Sequence, residues 1–153
     1  ERYPLARLLD AADAVGREEA APRQRDWLRD THDGVRYWAA VGLHARTKLG
    51  DADRAALRAA LRDASPTVRI EAAAALAQHG EASAALPVLA AALRDPSREA
   101  VLHAARALEL LGPAARPAFD DMRAALATAR VAEKAGEPMA MFVRFSLEAA
   151  LPK

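Results

Sequence analysis

The chain has no cysteine among its 153 residues, so it can form neither disulfides nor thiolate metal sites and has no cysteine nucleophile. Aromatic residues make up only 5% of it, and lysine occurs only at positions 48, 134 and 153. No apolar run approaches the roughly 18 residues that a membrane-spanning helix needs. Because β-branched and aromatic residues are sparse, we expect almost no β-structure.

The charges are nearly balanced, with 22 basic and 21 acidic residues and a formal net charge of +1. This balance argues against a surface dedicated to nucleic acids or anionic membranes. Hydrophobic residues reach 52%, but alanine inflates that fraction. Alanine, leucine, arginine and glutamate are strong helix formers, so the composition favours helices packed closely through small side chains.

A short motif recurs along the chain. Gly-Val-Arg-Tyr-Trp-Ala-Ala at residues 34–40 corresponds to Thr-Val-Arg-Ile-Glu-Ala-Ala at residues 67–73, a spacing of 33 residues. A third copy aligns Val101 with Val68 at the same spacing, and a degenerate fourth copy places Val143 after 42 more residues. Self-similarity at a period of roughly 20–50 residues is typical of solenoids, in which each unit buries its apolar face against its neighbours.

The sequence therefore predicts an all-α, right-handed α-solenoid of about four two-helix repeats, forming one domain over residues 1–153. The predicted units cover residues 17–50, 51–80, 81–112 and 113–153. Residues 1–16 are predicted to form an N-terminal capping helix that buries Leu5, Leu8, Leu9 and Ala12.

Local signals add further expectations. Ser65 is predicted to cap the helix that begins at Pro66, and Pro87 either starts its helix or bends it. Trp38, flanked by alanine, is predicted to lie in the core. Tyr37 and Trp27 are predicted to be nearer the surface.

An aspartate in the turn and Val-Arg at the start of the second helix resemble a HEAT repeat. The short period is similar to that of the phycobilisome-lyase-type variety, and ankyrin and tetratricopeptide signatures fit less well. The resemblance implies a ladder of side chains that bond along the stack. In the third unit of this chain Leu102 stands at the arginine position of the ladder, and Arg98 or Arg106 could substitute for that arginine. The ladder residues that the resemblance implies are Asp30, Arg36, Asp63, Arg69, Asp95 and Arg144.

A longer likeness covers most of the chain. Residues 3–12, 33–43 and 109–117 resemble the HEAT extension at the carboxyl end of some bacterial sulfatases of the arylsulfatase type. The sulfatase nucleophile motif, cysteine or serine followed by x-Pro-x-Arg, does not occur in this chain. The resemblance therefore implies a non-catalytic appendage of a hydrolase, without metal or cofactor, and a periplasmic or extracellular location if the parent is a sulfatase.

Three functions remain open: a HEAT module that packs on a catalytic domain, a stand-alone protein-binding scaffold, and, least favoured, a nucleic-acid-binding protein or DNA glycosylase. The first two predict a protein partner, with no catalytic residue in this segment. Met139, Met141, Phe142 and Phe145 either seal the last repeat or, if exposed, form a docking surface. The candidate partner-binding residues on the second helices are Tyr37, His44, His79, His103 and Arg106.

Overall fold

A computed structural model describes residues 3–152, and this part of the chain contains helices and no strands. Within residues 3–152, short 3-10 segments at Glu18–Ala20 and Gly112–Ala118 accompany nine α-helices. The helices are α1 (Leu5–Asp13), α2 (Ala21–Trp27), α3 (Asp33–His44), α4 (Asp51–Ala60), α5 (Pro66–Gln78), α6 (Ala82–Ala92), α7 (Arg98–Leu111), α8 (Phe119–Lys134) and α9 (Pro138–Ala150).

The helices pack as an α-solenoid, which confirms the predicted fold class. The second helices of the units pack in series, α3 on α5, α5 on α7 and α7 on α9, and α1 packs on α3 at the amino-terminal end. The first helices α2, α4 and α8 pack on their own second helices, and α6 packs on both α5 and α7. Among the described helices, none has the length and apolar content needed to cross a membrane.

The core repeats with the helices. Helices α3, α5 and α7 each bury their third, seventh and eleventh residues, a spacing of four that keeps the side chains on one face of a helix with a period of 3.6 residues. These residues are Val35, Ala39 and Leu43, then Val68, Ala72 and Leu76, then Ala100, Ala104 and Leu108, all 0–1% exposed. Ala100, not Val101, therefore corresponds to Val68, and the third copy follows the second after 32 residues instead of the predicted 33.

The capping helix buries a different face from the one predicted. Leu5 and Leu9 are 58% and 60% exposed, whereas Ala11 is fully buried and Leu8 is partly buried. Leu8 approaches Gly34 so closely that a Cβ on that glycine would lie 2.9 Å from the leucine methyl group. Because α1 has α3 as its main neighbour, only a narrow stripe of it is covered.

The predicted cap at Ser65 is wrong. Its side chain accepts no hydrogen bond from the backbone of α5, and its hydroxyl lies 3.0 Å from the hydroxyl of Thr67. Ser97 is the serine that caps, since its Oγ accepts a hydrogen bond from the backbone N–H of Ala100. Pro87 does not start its helix either, because α6 begins at Ala82 and continues through the proline.

Trp38 lies at the surface, contrary to the core prediction. It is 37% exposed, while its neighbour Tyr37 is partly buried against the core. Val35, Ala39 and Leu43 occupy the inward stripe of α3, so position 38 falls at the edge of that stripe. A large aromatic ring between alanines is therefore not sufficient evidence of burial.

Candidate partner-binding face

The described residues contain one complete rung of the predicted ladder. The guanidinium of Arg36 donates two hydrogen bonds to the carboxylate of Asp63, at 2.7 and 2.8 Å, and a third to the backbone carbonyl of Asp30 at 2.9 Å. Burial raises the pKa of Asp63, but the hydrogen bonds from Arg36 and from the backbone N–H of Ser65 outweigh burial and lower it. This bidentate contact joins the first unit to the second.

The next rung is absent between the described residues Arg69 and Asp95. Arg69 donates hydrogen bonds to the backbone carbonyls of Asp63 and Ala64, at 2.7 and 2.9 Å, and forms no ion pair with Asp95. The Asp95 carboxylate instead accepts a hydrogen bond from the backbone N–H of Ser97. The ladder that the resemblance implied is therefore interrupted between the second and third units.

Other ion pairs occur where the resemblance did not place them. Arg144 pairs within its own unit, at 2.6 Å from Glu133 and 2.8 Å from Glu148, instead of with an aspartate. Arg98, one of the two suggested substitutes for the missing arginine, lies 2.7 Å from Glu137 in the turn before α9. An additional pair, Arg7 with Asp30 at 2.7 Å, ties α1 to the first unit.

A polar cluster lies on the second helices of the first three units. The Glu71 carboxylate on α5 lies between two imidazoles, with its Oε1 2.6 Å from Nδ1 of His44 on α3 and its Oε2 3.0 Å from Nε2 of His103 on α7. The other ring nitrogen of His44 lies 2.7 Å from Oε1 of Gln78. These four side chains form the histidine–glutamate cluster, which crosses three repeats.

The cluster changes the acidity of its members. Burial raises the pKa of the Glu71 carboxyl, but the hydrogen bonds from His103 and His44 more than compensate and lower it to about 2. Burial lowers the pKa of His44, yet the hydrogen bond to Glu71, the charge of that carboxylate and the contact with Gln78 together raise it. A carboxylate at Glu71 and an imidazolium at His44 form a partly buried ion pair.

Two grooves run along the surface that α3, α5, α7 and α9 present, which we call the second-helix face. The first, of about 500 Å³, lies between the histidine–glutamate cluster and the end of α7, and the second, of about 710 Å³, lies between α7 and α9. His103 and Arg106 line both grooves. Further walls of the second groove are Glu99, Leu102, Glu109, Met139, Phe142 and Phe145.

The apolar residues of α9 do not seal the last repeat. Phe142 and Phe145 are 48% and 51% exposed, and Met141 is 36% exposed. Phe142 and Phe145 point into the α7–α9 groove together with Met139. The sequence left two alternatives open for this stripe, and the structure places it at an open surface.

The five predicted binding residues do not all meet. His44, His103 and Arg106 line one groove, and the ring of Tyr37 packs edge-on against His103 with 6.0 Å between centroids. His79 follows the last residue of α5, lines neither groove, and its carbonyl accepts a hydrogen bond from Arg54.

Sequence reasoning missed Glu71 at the centre of the cluster. A signal was present, since Glu71 follows Ile70 and precedes a run of four alanines in an otherwise apolar stretch of helix. An acidic residue in such a stretch needs a buried partner. Within residues 3–152, no group of histidine and acidic side chains is arranged to hold a metal ion.

A stack of paired helices with one continuous grooved face defines the class of α-helical repeat proteins. Within that class, the proteins described as HEAT repeats match residues 54–137, from α4 to the turn before α9, and the chain belongs to this family. None of the curated proteins matches the chain. The HEAT repeats make it an interaction or structural module of a generally non-catalytic family.

Proposed function

We propose that this HEAT module binds a partner protein by receiving an amphipathic helix in the groove between α7 and α9. The observation that carries the proposal is the half-exposed pair Phe142 and Phe145 beside Leu102 and Met139. Soluble proteins rarely expose large apolar side chains together unless the surface binds something. Completing the burial of two half-exposed phenylalanines would contribute on the order of 1 kcal/mol each.

The rim of the groove suggests the polar side of such a helix. Arg106 is paired with Glu109 on α7, which offsets its charge at the rim. Glu99 is exposed and accepts a hydrogen bond from the Ser97 hydroxyl, and it forms no ion pair with any described residue. A helix with apolar anchors toward the phenylalanines and a basic residue opposite Glu99 fits this groove.

Photo-crosslinking in the source cells tests the proposal. A benzophenone amino acid at position 145 is expected to capture a discrete protein partner, because it projects into the groove. The same amino acid at Val131 provides the control, since Val131 is 70% exposed on α8 and lines neither groove. Mapping the captured peptide should reveal an amphipathic helical segment.

Equal capture at both positions would mean that exposure alone explains the product, and it would contradict the proposal. So would a captured segment without apolar anchors. A Glu99→Lys variant should weaken the crosslink at position 145 if the partner presents a basic residue there.

The resemblance to sulfatase extensions supports a narrower form of the proposal, in which the partner surface belongs to a sulfatase-type catalytic domain in the same polypeptide. Its test is the coding sequence upstream of Glu1. A continuous frame that encodes cysteine or serine followed by x-Pro-x-Arg would support it and would favour a periplasmic or extracellular location. A nearby start codon would favour the stand-alone scaffold of the short HEAT type.

A further inference from the structure

We propose that the histidine–glutamate cluster is a proton-dependent clamp: it fixes α3, α5 and α7 relative to one another while His44 carries a proton, and it loosens them when that proton is lost. The clamp would regulate the second-helix face, so this inference deepens the proposed function and rests on it for its biological meaning. Its physical test requires no partner.

The geometry of His44 is the first argument. Both of its ring nitrogens lie within hydrogen-bond distance of oxygen atoms, Nδ1 at 2.6 Å from Glu71 and Nε2 at 2.7 Å from Gln78. A neutral imidazole can donate from only one nitrogen, whereas an imidazolium donates from both. With the amide oxygen of Gln78 toward the ring, the arrangement is the one that a protonated His44 satisfies.

The position of the cluster is the second argument. Glu71 is only 6% exposed, and it lies at the centre of the stack, where it contacts α3 through His44 and α7 through His103. The other buried residues of α5 are apolar, most of them alanines, and their side chains contribute packing but no directional contacts. The clamp is thus a directional link shared by three successive repeats.

The charges around His44 are few. His44 faces Glu71 on α5. The groove that these two residues line also contains His103 and Arg106 of α7, and Arg106 is paired with Glu109. Helices α1 and α2 also pack on α3, yet they contribute no residue to the described wall of this groove. With His44 protonated the imidazolium compensates the Glu71 carboxylate, and loss of the proton leaves that carboxylate without its compensating charge.

The direction of the pH effect follows from the raised pKa of His44. A group whose pKa is higher in the folded state contributes stability that is fully present below its ordinary value of 6.5. That contribution is lost as the pH rises through the higher value of the folded state. The clamp therefore holds in mildly acidic solution and weakens toward alkaline pH.

Gln78 supplies a specific test. Its side chain is exposed, so its amide can rotate and present the NH₂ group to a neutral imidazole. This rotation reduces the stability that is lost when His44 loses its proton. Replacing it by glutamate removes that option, since an ionised carboxylate only accepts hydrogen bonds. Gln78→Glu should therefore raise the pKa of His44 further, and Glu71→Gln should lower it.

The experiment is an NMR titration of the imidazole nitrogens in the whole chain, from about pH 5 to about pH 9, which spans the ordinary range of histidine. We expect His44 to titrate above 6.5 in the wild type, higher still in Gln78→Glu, and lower than the wild type in Glu71→Gln. Glu109→Gln is the matched control, because it removes an acid from the neighbouring α7–α9 groove that contacts Arg106 instead of His44. It should leave the midpoint nearly unchanged.

Thermal unfolding over the same pH range completes the test. The wild-type melting temperature should fall across the His44 titration, after subtraction of the trend in a His44→Gln variant that cannot titrate at this position. A His44 midpoint at or below 6.5, or a melting temperature with the same trend in both proteins, would overturn the clamp. If the titration succeeds but no partner crosslinks to position 145, the clamp stands and the proposed binding function fails.

Discussion

Gly42 is the glycine at which an added Cβ would approach its neighbours most closely. A Cβ there would lie 2.3 Å from Nε2 and 2.7 Å from Cδ of Gln24, far closer than atoms can approach. Gln24 is fully buried, and its Nε2 donates a hydrogen bond to the backbone carbonyl of Ala14 at 2.9 Å. Gly42→Ala must therefore displace the Gln24 amide from the one hydrogen bond that it makes with the described residues.

The expected cost combines three effects. Overpacking a filled site costs about 1–3 kcal/mol, and leaving buried polar groups without partners costs about 1–3 kcal/mol more. Alanine offsets about 0.5–1 kcal/mol of this because it favours the helix more than glycine does. We therefore expect Gly42→Ala to lower the free energy of unfolding by about 3 kcal/mol.

Urea denaturation followed by circular dichroism measures this change, and a second background isolates its cause. In a Gln24→Ala protein the obstructing side chain is gone, so Gly42→Ala should become neutral or stabilise the fold by up to about 1 kcal/mol. A destabilisation of equal size in both backgrounds would refute the reasoning, because the clash with Gln24 could then not be its source.

Three further predictions concern single contacts. Asp63→Asn should cost about 2 kcal/mol in urea unfolding because it weakens the bidentate rung, whereas Asp26→Asn, at an 80% exposed side chain, should cost under about 0.5 kcal/mol. Ser97→Ala should lower the unfolding free energy by about 1 kcal/mol and Ser65→Ala by clearly less, since only the first serine caps a helix; equal losses would contradict this. The ionised Glu71 carboxylate, with its pKa lowered to about 2, contributes about 3 kcal/mol to the free energy of unfolding above its ordinary value of 4.5. This contribution is lost as the pH falls through about 2, so Glu71→Gln should make the stability depend less on pH in this acid range.

The repeat architecture could be predicted because it depends on periodic features. The recurrence of Val35, Val68 and their neighbours marks second helices by a spacing that survives substitution. The exact register of the third copy could not be predicted, since Ala100 and Val101 are both apolar and both buried, at 1% and 5% exposure. Only the packing of α7 on α5 distinguishes them.

The site was less predictable because its contacts join distant residues. His44, Glu71 and His103 belong to three repeats, and nothing in the sequence states which side chains of stacked helices meet. The ladder illustrates the same limit, since Arg69 has the predicted residue type and position but bonds to backbone carbonyls. Gln24 opposite Gly42 was equally invisible, because they lie on different helices, α2 and α3.

The central claim is that the α7–α9 groove of this HEAT module binds an amphipathic helix, and a displayed library of helical peptides tests it most directly. Selected peptides should bind the wild type and lose at least about tenfold in affinity to Phe145→Ala, which corresponds to about 1.4 kcal/mol. Val131→Ala, at an exposed apolar residue outside the groove, should bind them unchanged. Peptides that bind all three proteins equally would contradict the account.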